Sequence, residues 1–101
     1  MIVEFSVAPV GIGESMSEQV AKCLDIVDRS GLNYRLTPMG TIIEGEWDDV
    51  NDVIRRCHFA VLQEAPRVLT TIRIDDRKGA KAAIEDKVTS VERVLRRDLR
   101  K

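Results

Sequence analysis

The sequence predicts an α+β fold, and three observations carry that prediction. Apolar and polar residues alternate in several short segments, the period of a half-buried strand. Between and after these segments apolar residues recur every three or four positions, as on a helix with one buried face. Turn chemistry rich in Gly and Pro separates the two kinds of segment.

Residues 2–9, IVEFSVAP, set Val3, Phe5 and Val7 on one face and Glu4 and Ser6 on the other, which is a strand. VGIGES follows as a loop, and Ser15 with Glu18 makes a capping box. Val20, Cys23, Leu24 and Val27 then mark one face of a helix, stopped at SGLN, where Gly31 suits a left-handed C-cap. Residues 33–37 form a second strand, and PMG a tight connection. Residues 41–47, TIIEGEW, complete a hairpin. Asp48 caps a second helix with Val50, Val53, Ile54, Cys57 and Val61 on one face, ended at Pro66. Residues 67–75 give a fourth strand, Arg77 to Gly79 a turn, and Ile84, Val88, Val91 and Leu95 a last helix.

The order is β-α-β-β-α-β plus a C-terminal helix, the ferredoxin-like pattern. Its antiparallel sheet runs 4-1-3-2, with the first two helices on one face and the other face open unless something covers it. The 101 residues fit one domain, 1–101. Formal charge is −1, from 16 basic and 17 acidic residues, so no nucleic-acid footprint is expected despite the basic end ERVLRRDLRK. No signal peptide and no membrane span are expected, which suits a cytoplasmic protein. Cys23 and Cys57 have no metal-type spacing and read as small buried hydrophobes in a reducing compartment.

TIIEGEW poses the functional question, because it puts carboxylates into a strand-like segment. If Val3 and Ile43 face the helices, Glu4, Ser6, Glu44 and Glu46 share the open face with Ile42, Leu69, Thr71 and Arg73. Such a face is either simply solvated, or covered by a subunit or ligand that pairs the carboxylates. His58 stands alone, without a second imidazole for a metal pair. GIG at Gly11 to Gly13 lacks both the dinucleotide and the Walker pattern. No nucleophile–base set or metal cluster is evident, so neither an enzyme nor a cofactor is expected.

Longer motifs add a resemblance. PVGIGES at Pro9 to Ser15, SGLNYRLTPMGTIIEG at Ser30 to Gly45 and RIDDR at Arg73 to Arg77 resemble the YkoF-like family of small thiamine-binding proteins. The likeness covers about Ile2 to Arg97. It implies a ferredoxin-like domain assembling into dimers or tetramers through its sheets, and binding of thiamine or its hydroxymethylpyrimidine part without catalysis. Strand geometry and the family motif together point to Ser6, Thr41 and Glu44 on the sheet, with Tyr34 and Met39 as walls. Ser15, Ser17 and Gly40 would contribute from the loops. The competing expectation is an oligomeric domain whose polar face is only a subunit interface, with another ligand, an anion, or none.

Overall fold

The computed structural model describes residues 1–13, 16–79 and 84–100. Its elements are β1 (Ile2–Val10), α1 (Met16–Arg29), β2 (Asn33–Thr37), β3 (Gly40–Glu44), α2 (Trp47–Leu62), β4 (Arg67–Asp75) and α3 (Ile84–Leu95). The four strands are antiparallel neighbours in the order β2-β3-β1-β4, the expected ferredoxin-like order.

Alternation places the core. Val3 and Phe5 are buried, and their register partners are Ile43 and Thr41 on β3 and Ile74 and Ile72 on β4. Directly opposed residues share a face, so all six lie on the helix side. There α2 buries Val50, Val53, Ile54, Cys57 and Val61, the five apolar positions its sequence spacing marks. Cys23 and Val27 of α1 and Ala65, just before β4, join the cluster. Removing this apolar surface from water is the main term holding the layers together. The Ser30 hydroxyl ends α1 by donating to the Val27 carbonyl at 2.5 Å, and Gly31 takes φ +77°.

Several expectations are corrected. β3 stops at Glu44, not at residue 47, and β1 reaches Val10. Gly45 is the last sheet-like residue, exchanging main-chain bonds with Met1 at 3.0 and 3.1 Å. The chain then turns, so Glu46 rather than Asp48 is the N-cap residue of α2, and Trp47 opens the helix. Asp48 and Asp49 lie in its first turn, where negative charge meets the positive end of the helix dipole. The polar–apolar alternation simply continues through this corner, which is why it reads as strand. On α1, Val20 is left 40% exposed while Gln19 is buried, its amide donating to Glu64 at 2.6 Å. The Ser15 capping box lies outside the described residues.

The second face is also less open than expected, because α3 crosses it over β2 and β3. The Ile84 N–H donates to Glu44 Oε2 at 2.8 Å, and Arg35 of β2 lines a cleft with Val88, Thr89 and Glu92 of α3. What stays open lies over β1 and β4, where Arg73 pairs with Glu4, its cross-strand neighbour, at 3.3 Å.

Candidate ligand site

The site begins with a mismatch of strand lengths. β1 pairs with β3 only from Ile2↔Glu44 to Phe5↔Thr41, whereas it pairs with β4 all the way to Val10↔Arg67. The β2–β3 hairpin turns back at Thr37↔Gly40. Residues 6–10 of β1 therefore have a strand on one side only. The other edge of residues 6–9 faces a cavity of about 250 Å³.

Three elements enclose it. The β1 edge from Phe5 to Pro9 forms one wall, Leu36 to Thr41 of the hairpin a second, and Val20, Cys23 and Leu24 of α1 the roof. The turn is shaped locally: the Thr37 hydroxyl donates to the Gly40 carbonyl at 2.9 Å and accepts from the Met39 N–H at 3.2 Å. Gly40 permits the close approach to β1, since a Cβ there would stand 3.0 Å from the Phe5 carbonyl oxygen. Leu36, Val20 and Met39 are left 55%, 40% and 85% exposed at the cavity. Apolar side chains gathered around one hollow are what a ligand site leaves when empty.

The lining is neutral. Its polar residues are Ser6, Cys23, Thr37 and Thr41, beside the β1 edge, and it contains no carboxylate or basic side chain. Among the described residues no group of three or more His, Cys, Asp or Glu is arranged to hold a metal ion.

The expected site residues divide accordingly. Ser6, Met39, Gly40 and Thr41 meet at the cavity. Ser17 is exposed on α1 away from the lining, and Ser15 lies outside the described residues. Tyr34 is half-buried on the helix side, its hydroxyl donating to Asp28 at 2.9 Å; the carboxylate beside it pushes the phenol above its ordinary pKa. Glu44 stands on the opposite face, accepting from Ile84 N–H and from the Asn33 side chain. Glu46, at the α2 corner, is off the sheet face. Val20, Leu36 and Thr37 are cavity residues that sequence reasoning did not single out as ligand groups. Alternation already put Leu36 on the same side as Thr41, its register partner, and that was the available signal. His58 sits half-buried with Nδ1 2.7 Å from the Thr70 hydroxyl, bracing α2 on β4.

Fold and cavity together define a ferredoxin-like domain with a small, neutral, mostly apolar pocket at a sheet step. The chain belongs to the family described as Thiamine-binding protein, whose profile matches residues 3–92. It is 42% identical over 98 residues to a UPF0045 protein of Mycobacterium bovis, covering 96% of each chain. It is 39% identical over 100 residues to the UPF0045 protein YqgV of Bacillus subtilis, covering 93% of this chain and 96% of that one. The crystal structure of a hypothetical protein, MJ1052, from Methanocaldococcus jannaschii superposes with a TM-score of 0.83 at 31% identity, covering 89% of this chain and 93% of the other.

Proposed function

We propose that this chain is one non-catalytic binding domain for the aminopyrimidine half of thiamine, taking thiamine or free hydroxymethylpyrimidine for salvage, transport or sequestration in the cytoplasm. The observation that carries the reading is the neutral cavity at the β1 step, in a chain of a thiamine-binding family. Size favours one ring over two. About 250 Å³ falls below the roughly 300–1,000 Å³ of pockets that enclose drug-sized ligands. Charge favours the pyrimidine, because the lining offers a thiazolium no carboxylate and offers an anion no basic side chain. The exocyclic amine and ring nitrogens need a few placed donors and acceptors. The β1 edge with Ser6 and Thr41 supplies them, between apolar walls from Leu36, Met39 and Val20. Gly40 keeps the hairpin close enough to β1 to shape the hollow.

Calorimetric titration tests this directly. Hydroxymethylpyrimidine and thiamine should bind with affinities within about tenfold of each other, a gap of no more than about 1.4 kcal/mol. The isolated thiazole should give no heat. Thr41→Val should weaken both ligands by about tenfold, near the worth of one hydrogen bond. Saturable binding of the thiazole alone, or no binding of either pyrimidine, sinks the proposal.

A further inference from the structure

Cys23 and Cys57, 34 residues apart in sequence, meet across the contact of α1 with α2. Each thiol lies against the other's main chain: Cys57 Sγ is 3.6 Å from the Cys23 carbonyl oxygen, and Cys23 Sγ is 3.9 Å from that of Cys57. Both are free and buried, but not equivalently. Cys57 is 0% exposed, sealed in the core, while Cys23 is 7% exposed and forms part of the cavity roof. The cavity therefore borders one cysteine of the pair, and the other lies behind it.

We propose that Cys23 and Cys57 form a reversible redox pair, oxidised to an intramolecular disulfide by hydrogen peroxide that enters through the β1 cavity. Cys23 attacks first. Its thiolate sulfur bonds to one peroxide oxygen, the O–O bond breaks, and the departing hydroxide is protonated to water, leaving Cys23 as a sulfenic acid. The Cys57 sulfur then attacks the Cys23 sulfur, the S–O bond breaks, and the oxygen leaves as water with the Cys57 proton. Two thiols lose two electrons in all, and one peroxide becomes two waters. The electrostatics run the same way. The neighbouring Cys57 side chain lowers the Cys23 pKa, whereas the Cys23 side chain and then burial raise that of Cys57. The more acidic thiol of the pair is thus the one beside the cavity, and the thiolate is the form that reacts.

The test is peroxide treatment of the whole chain, read by intact mass and peptide mapping. The wild type should lose about 2 Da, one hydrogen from each thiol, with a Cys23–Cys57 cross-link that thiol reductant reverses. Cys57→Ser should give a Cys23 sulfenic acid that dimedone traps, and Cys23→Ser should leave Cys57 unmodified over the same period. Where either variant fails to fold, timed alkylation of the native wild type decides: Cys23 should label about tenfold or more ahead of Cys57. Val20→Trp, which narrows the cavity, should slow that labelling. Two thiols surviving peroxide in folded protein, Cys57 labelling first, or a labelling rate indifferent to Val20→Trp would each overturn the proposal.

Discussion

Glu44 and Glu46 answer at the residue scale why a strand-like segment carries carboxylates. Glu44 receives the start of α3, and Glu46 stands at the cap position of α2, where its side chain makes no capping bond. Glu44→Gln should lower stability by about 1 kcal/mol, since a charge-assisted bond to Ile84 becomes a neutral one. It should leave pyrimidine affinity unchanged, because Glu44 is not in the cavity lining. A large loss of affinity at unchanged stability would refute that division. Glu64 gives a pH prediction. Lys22 and Gln19 hold its carboxyl below the ordinary glutamate range. A depressed folded pKa adds stability above the unfolded value, about 4.3, and loses it as pH falls through the folded value. The melting temperature of the wild type should therefore exceed that of Glu64→Gln at neutral pH and converge with it below about pH 4. The same gap at both pH values would remove the ion pair as its cause.

Elements differ in how firmly they are held, and in how far the sequence disclosed them. α2 places five side chains in the core, and its face was legible because a helical period reports burial directly. α3 is different: Ile84 is buried, but Val91, Val94 and Leu95 are 49%, 82% and 46% exposed. Its apolar spacing was legible, but its path across the sheet was not, because that path depends on contacts with Glu44 and Arg35 rather than on period. Amide hydrogen exchange should find α3 opening at least about tenfold more readily than α2. Equal protection would mean that something else covers α3. Ile43→Val, at a fully buried position of β3, should cost about 1 kcal/mol and lower the melting temperature by about 4–8 °C. The cavity was only half legible for a related reason. Alternation assigns Ser6 and Thr41 to their faces, but the register Phe5↔Thr41 that ends the pairing of β1 and β3 has no local signature. The Cys23–Cys57 meeting likewise joins two helices, with no spacing rule to announce it.

For the whole molecule the question is what lies beside the sheet. β2 and β4 are the edge strands, each with a strand neighbour on one side only among the described residues. On β4, Leu69, Ile72 and Ile74 are 51%, 43% and 39% exposed, so apolar side chains flank that edge on both faces. This favours homo-oligomers through sheet edges and faces, of the closed symmetric kind in which the same strand meets itself. Light scattering should give a mass of at least a dimer, and Ile72→Lys should lower it. A monomer across a wide concentration range would count against edge pairing.

The stepped end of the sheet has one more consequence. Because β1 outruns β3, the volume of the hollow is governed by how many residues the β2–β3 hairpin spends before it reverses. Lengthening that hairpin by one residue on each arm would zip its new tip along the bare flank of Ser6 and Val7 and close the space, with no lining side chain replaced. Shortening it would enlarge the hollow enough for a bulkier guest. Insertions and deletions at Pro38 and Met39, rather than point substitutions, are therefore the natural dial on what this scaffold holds.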